Sequence, residues 1–333
     1  MKKNLLITGA SGFIGSYLVE TALLKGYNTI AAVRPTSNKK YLQDPAIHFL
    51  ELDFKSDQTL DHAIREFVDR FGKIDYVIHN AGVTRANKNE EYDQVNCDNT
   101  IRLVHALQRN HQVPEKFVLI SSLAAYGPAK NESPVKATDA KEPLTAYGRS
   151  KFKAEEFLYS LKDFPFVIIN PTAVYGPKDK DVFFLINSIQ KGFEVYIGNK
   201  QQLLSFVHAA DLAAAIFIAM QSDVVGKNFL ISDQQAYTSQ TFNQQIKSIL
   251  QKKTLSIVMP VAIVRTVAVF AEMVGAITGK VPILNRERLK EFEAPNWAVD
   301  SSEISKLGYQ PKFNLEEGLN DAIQWYKEQG WLS

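Results

Sequence analysis

The stretch Thr8-Gly9-Ala10-Ser11-Gly12-Phe13-Ile14-Gly15 constrains this chain more than any other. It follows the apolar run Leu5-Leu6-Ile7 and precedes a segment with helical periodicity, so it reads as a strand turning into a helix. Gly9 permits a tight turn, Gly12 lets backbone approach a bound group, and Gly15 lets the helix sit close against the strand. A helix that starts on such a turn presents free N–H groups, which suit a phosphate. The same rhythm then repeats. Strands are expected at Asn28–Val33, Ile47–Leu50, Tyr76–His79, Phe117–Ile120 and Phe166–Ile169. Helices are expected near Phe13–Lys25, Ser56–Phe71, Val95–Arg109 and Tyr147–Leu161. Strand and helix in alternation predict a doubly wound α/β parallel sheet, covered on both faces. After Pro171 the alternation loosens. This places a dinucleotide-binding domain at 1–170, with segments returning to it near 203–221, and a smaller mixed α/β substrate domain over most of 171–333.

The phosphate-binding turn, with Gly9, Ser11, Gly12, Phe13, Ile14 and Gly15, implies a dinucleotide. The end of the second strand indicates which one. An NAD site offers an acid there for the ribose 2′-hydroxyl, whereas this strand ends Val33-Arg34-Pro35, with Lys39 and Lys40 close behind. A guanidinium and an ammonium suit a 2′-phosphate, so Arg34 and Lys40 favour NADP(H), with NAD(H) as the alternative. Asp53, beside Phe54 after the third strand, is a candidate contact to the adenine and equally a plain turn residue.

Tyr147 and Lys151 are four residues apart at the start of a helix, hence on one face. A nearby ammonium is expected to lower the phenol's pKa and fit Tyr147 for proton transfer. Ser122 ends the strand Phe117–Ile120, where it could hold a developing oxyanion. Tyr126 and Lys130 share the tyrosine–lysine spacing, but Gly127 and Pro128 stand between them, so Tyr126 is read as a packing residue. No Gly-x-Ser-x-Gly elbow surrounds Ser122, which argues against an acyl-transfer hydrolase.

Together these residues resemble the extended short-chain dehydrogenase/reductase family, whose Rossmann fold the alternation matches. The likeness runs through His79-Asn80-Ala81-Gly82, Asn96, the Ser122/Tyr147/Lys151 set, Asn170-Pro171-Thr172-Ala173-Val174-Tyr175-Gly176-Pro177 and Phe206-Val207-His208-Ala209-Ala210-Asp211. The resemblance implies that Asn80, Ala81 and Gly82 border the cofactor and that Pro171 to Val174 lie along the nicotinamide. It also implies that Asn96 supports a proton relay to Lys151. Leu123-Ala124 follow Ser122 where the family's sugar-nucleotide dehydratases carry an acidic pair. The pattern resembles dihydroflavonol-reductase-like and 3β-hydroxysteroid-dehydrogenase-like members, which act on carbonyls and secondary alcohols of apolar molecules. A nucleotide-sugar epimerase that retains NAD is the alternative, and a non-catalytic NADP-binding sensor a further one.

The net charge is +2, which gives no field suited to nucleic acid. The six histidines form no ligand-spaced pair, so no metal site is expected. A single cysteine, Cys97, fits a reducing cytoplasm and reads as a buried hydrophobe. No signal segment or spanning helix is expected. The partner is then a small molecule, and the chain a monomer or homodimer. The segment Pro260–Ile277 carries Ile263, Val267, Phe270, Val274 and Ile277 at helical spacing. It reads as a core helix, a wall of an apolar pocket, or a surface resting against a membrane interface.

Overall fold

The computed structural model describes residues 2–278, 282 and 285–332; the Ile277 side chain lies outside what is described. The centre is a seven-stranded parallel sheet. Its strands are β1 (Asn4–Thr8), β2 (Asn28–Val33), β3 (His48–Glu51), β4 (Tyr76–His79), β5 (Lys116–Ile120), β6 (Phe166–Pro171) and β7 (Lys227–Ile231). They stand in the order β7-β6-β5-β4-β1-β2-β3. These strands are near-continuous apolar runs because both faces are covered. On β1, Leu5 and Ile7 pack to one side and Leu6 to the other.

The helices are α1 (Phe13–Leu24), α2 (Asp57–Phe71), α3 (Asn99–Arg109), α4 (Ala146–Ser160), α5 (Asp181–Gln190), α6 (Ala209–Gln221), α7 (Ser239–Leu250), α8 (Val261–Thr278), α9 (Arg286–Glu293) and α10 (Leu315–Glu328). The face holding Leu5 and Ile7 is covered by α1 and α6, which bury Leu18, Val19, Leu212 and Ile216. The Leu6 face is covered by α2, α3 and α4, through Leu60, Ile64, Phe67, Leu103 and Leu158. Ser56 and Thr59 start α2 with reciprocal side-chain and backbone hydrogen bonds, which fixes where the chain leaves the sheet edge.

A smaller mixed lobe gathers α5, α7 and α10 around Tyr175, Ile186, Phe206, Ile246 and Tyr326. Two short strand pairs, Phe193–Ile197 with Leu255–Met259 and Ala173–Tyr175 with Phe206–His208, belong to this half of the chain. The return toward the main sheet runs past residue 221: α6 packs on the sheet and β7 adds its seventh strand. The sequence hid β7 because its apolar run is only Phe229-Leu230-Ile231.

Two other sequence expectations shift. Helix α3 is preceded by a π-helical turn, Asp93–Asp98, which carries Asn96. Strand β6 runs two residues beyond Ile169, so Asn170 and Pro171 belong to the sheet. The order makes β1 and β4 neighbours from which the chain fans out both ways. Ligands of such sheets lie in the crevice at the carboxyl ends of these central strands.

Candidate active site

The crevice is built first from β1 and β4. Thr8 Oγ1 lies 2.8 Å from His79 Nδ1 and accepts the Ala81 N–H at 3.1 Å. Asn80 Nδ2 donates to the Gly9 carbonyl at 3.2 Å. Burial holds His79 down to about 3, so its ring stays neutral and works as part of this tie. Gly9 has φ +64°, and a Cβ there would stand 2.7 Å from the Ala81 nitrogen. A Cβ on Gly15 would collide with the Gly9 carbonyl, so glycine is what lets α1 press onto the turn. No side chain caps α1 at Gly12, and its first turn holds no acid. The free N–H groups, with Ser11, Phe13 and Ile14 around them, fit an anionic pyrophosphate.

Beyond β2, Arg34 and Lys40 are exposed. The chain turns there because the Arg34 N–H donates to Ser37 Oγ at 3.0 Å and the Ser37 N–H returns to the Arg34 carbonyl at 2.9 Å. Lys39 stands 4.3 Å over the Phe49 ring and Lys40 5.5 Å over the Tyr41 ring. Asp53 is a local turn residue: it accepts from the Lys55 N–H at 3.1 Å and pairs with the Lys55 ammonium at 2.9 Å. Lys55 first, and Arg34 more weakly, hold its carboxyl below the ordinary carboxylate value. Phe54 is half-buried, 6.1 Å from the His79 ring.

At the carboxyl end of β5, Ser122 opens a short 3₁₀ turn, Leu123–Ala125. Helix α4 is pressed against it: a Cβ on Gly148 would overlap the Ala124 carbonyl. That contact brings the Tyr147 hydroxyl into hydrogen bonding with Ser122. Leu123 and Ala124 are both buried, so the turn presents no acid to the crevice. One helical turn beyond Tyr147, the buried Lys151 donates to the Ile120 carbonyl at 2.9 Å.

The expected lowering of Tyr147 by Lys151 is overturned. Burial pushes the phenol up to about 12, Glu291 adds to the rise, and the Ser122 hydrogen bond opposes it. Lys151 donates a hydrogen bond to the Ile120 carbonyl and is not among the groups that shift Tyr147, and burial brings its own value down to about 8. At neutral pH Tyr147 therefore holds its proton, the state needed to donate it.

Asn96 is buried and fully engaged. Its Oδ1 accepts the Val83 N–H at 2.9 Å, and its Nδ2 donates to the Val83 carbonyl and to Ser150 Oγ, each at 3.0 Å. No hydrogen bond joins its side chain to Lys151. The two meet around Gly82, whose missing Cβ would stand 2.9 Å from Asn96 Oδ1 and 3.1 Å from Lys151 Nζ. Pro171 is buried at the end of β6, and Val174, half-buried, lies in the short strand that follows it. Tyr126 packs in a core cluster and donates to the Ala137 carbonyl at 3.0 Å, while Lys130 pairs with Glu142.

Three acids were missed from sequence. Glu155 is wholly buried on the inward face of α4 and accepts from Ser121, Asn170 and Lys141. It lies four residues past Lys151, on the stripe Tyr147–Lys151–Glu155, and an acid on a buried stripe is the signal that could have found it. Glu287 and Glu291 come from α9. Glu287 accepts the Ala146 N–H at 2.6 Å, and Glu291 lies 3.5 Å from Thr145 Oγ1. Burial raises the Glu291 carboxyl above its ordinary value. Beside Tyr147, the Tyr92 ring stands 6.2 Å away within an apolar group of Val83, Ala86 and Ala146. Arg85 and Arg288 both bond Asp181 nearby.

Residues 5–232 match the model of the NAD dependent epimerase/dehydratase family. The chain is 24% identical to ceramide reductase of Caulobacter vibrioides, over 98% of this chain and 95% of that protein. It is 27% identical to the decarboxylating sterol-4-alpha-carboxylate 3-dehydrogenase of Candida albicans, over 98% of each. Among solved structures, UDP-glucose 4-epimerase of Thermotoga maritima, in complex with UDP-glucose, superposes with a TM-score of 0.79 at 20% identity, over 98% of this chain and 99% of that one. A family match across most of the sheet, with relatives aligned over the full length, makes the chain an enzyme of the NAD(P)-dependent oxidoreductase type; it belongs to the NAD dependent epimerase/dehydratase family.

Proposed function

We propose that the chain is an NADP(H)-dependent reductase or dehydrogenase acting on a carbonyl or secondary alcohol of an apolar molecule. The observation that carries the reading is the meeting of Ser122, Tyr147 and Lys151 at the carboxyl end of the sheet, on the side where the uncapped start of α1 lies. In this reading residues 1–170 hold the cofactor and most of 171–333 forms the substrate side.

The bound nicotinamide would supply or accept the hydride. Tyr147, protonated at neutral pH, donates its proton to the carbonyl oxygen as the carbon gains the hydride, turning C=O into CH–OH; oxidation reverses both transfers. Ser122 hydrogen-bonds the same oxygen where negative charge builds. Lys151, with a value of about 8, can return a proton toward Tyr147 near neutral pH. Asn96 clamps Val83 and Ser150 and so keeps the floor beneath Lys151 fixed. Arg34 and Lys40 would hold the 2′-phosphate. The apolar group of Val83, Ala86, Tyr92 and Ala146 supports an apolar substrate, as do relatives named for ceramide and sterol chemistry.

A nucleotide-sugar epimerase is the second reading, supported by Arg85 and Arg288, two cations that share one carboxylate, Asp181. Steady-state oxidation of NADPH and NADH over aromatic, aliphatic and steroidal carbonyls separates the two. The reductase reading expects turnover with NADPH. Absence of turnover with every carbonyl, together with NAD retained through purification, overturns it. Replacing Arg34 with Asp should weaken NADPH binding about ten- to hundred-fold and NADH binding far less. Equal loss for both removes the 2′-phosphate argument.

A further inference from the structure

Helix α8 carries its amphipathic pattern the wrong way round for a core helix. It buries small or slender residues, Val264, Ala268 and Gly275. Its larger apolar residues face outward: Ile263, Val267, Phe270 and Val274 follow one another at helical spacing and are 48% to 60% exposed. The strand that leads into it, Leu255–Met259, exposes Leu255 and Val258, and Phe193 stands exposed opposite Leu255 on the partner strand. A run of exposed large side chains on consecutive elements marks a contact surface.

The charges at this surface indicate what it contacts. Lys191 precedes Phe193, and Lys252 and Lys253 precede Leu255. The Leu255 N–H donates to the Gly192 carbonyl at 2.8 Å, so these exposed lysines gather around the exposed Phe193–Leu255 pair. None of the three has an acidic partner among the described residues. The acids nearby are already matched: Glu194 with Lys247 at 2.9 Å, Glu272 with Arg286 at 2.7 Å and Glu293 with Arg265 at 2.7 Å. What remains facing outward is apolar and positive.

We propose that α8 and the strand pair before it dock on the surface of an anionic lipid bilayer, with the apolar side chains entering the interface and the lysines meeting lipid phosphates. No described helix is long and apolar enough to cross a membrane, so the contact is with one face of the bilayer. A second copy fits less well, because a two-fold contact pairs this face with itself and the face offers no free acid to receive the lysines. The place is chemically apt. Helix α8 is tied to α9 by the Glu272–Arg286 and Arg265–Glu293 pairs, and α9 in turn contacts the start of the Tyr147 helix through Glu287. The docking face thus sits one helix away from the candidate active site.

Docking requires neither substrate nor cofactor, so the test is independent of the reaction. The purified chain, without nucleotide, is co-sedimented with phosphatidylcholine vesicles and with vesicles that also contain phosphatidylglycerol. Binding to the anionic vesicles is expected. Phe270→Asp with Val274→Asp should reduce that partition at least about ten-fold, with an unchanged melting temperature because both side chains are exposed. Lys252→Glu with Lys253→Glu should remove the preference for anionic over neutral vesicles by a similar factor. The proposal is overturned if the native chain binds neither vesicle, or if the Phe270/Val274 pair binds as well as the native chain. It is equally overturned if the native chain is a dimer that this pair dissolves.

Discussion

Replacing Lys151 with Met should abolish turnover and yet stabilise the nucleotide-free protein at neutral pH. Burial takes the ammonium from 10.5 to about 8. A folded-state value below the unfolded one means that protonation opposes folding. The penalty is complete below about 8 and disappears as pH rises from about 8 to 10.5. Across the whole gap it amounts to roughly 3 kcal/mol. The hydrogen bond to the Ile120 carbonyl, lost in the variant, offsets about 1 kcal/mol. The net gain at pH 7 is then about 2 kcal/mol, or about 3 °C in melting temperature for a chain of this length. Between pH 7 and pH 9 the native lysine sheds roughly 1.4 kcal/mol of its penalty, so the gap should narrow by about 2 °C. Differential scanning calorimetry of both proteins across that range reads this directly. A gap that stays constant from pH 7 to pH 9 refutes burial as the cause of the Lys151 shift.

Two further substitutions test the frame around the site. Glu155→Ala leaves Lys141 buried without its partner and strips an acceptor from Ser121 and Asn170, so urea unfolding should show a loss of about 3–5 kcal/mol; a loss under 1 kcal/mol would make the buried pair unimportant. Gly15→Ala forces a methyl onto the Gly9 carbonyl, costing about 1–3 kcal/mol of stability and at least about ten-fold in NADPH affinity by fluorescence titration; unchanged affinity would separate the turn from nucleotide binding.

Much of the fold was legible because its signals are local. Buried strands are apolar runs, glycines stand where the turn needs them, and α2 announces its start with Ser56 and Thr59. Tyr147 and Lys151 share a face through helical spacing, and Ser122 follows a strand directly. The sequence could not show distance between elements. Glu287 and Glu291 reach Ala146 and Thr145 from 141 and 146 residues away, so no pattern near Tyr147 announces them. The Lys151 effect on Tyr147 failed for a related reason: spacing put the amine on the right face, but it points a hydrogen bond at the carbonyl of Ile120, on another element, and burial of the phenol dominates its value. Asp53 likewise found Lys55, two residues away, before any distant partner. Helix α8 showed its apolar stripe at once, but not which side faced the solvent.

The central claim is that the Tyr147 hydroxyl passes the proton in carbonyl reduction. Tyr147→Phe removes that one oxygen and keeps the ring that packs near Tyr92. Stopped-flow NADPH oxidation with the best carbonyl of the panel, set beside NADPH binding by fluorescence, tests it. The account predicts that the hydride step slows at least about a hundred-fold while NADPH binding stays within about two-fold. A variant that reduces the carbonyl at the native rate would contradict it.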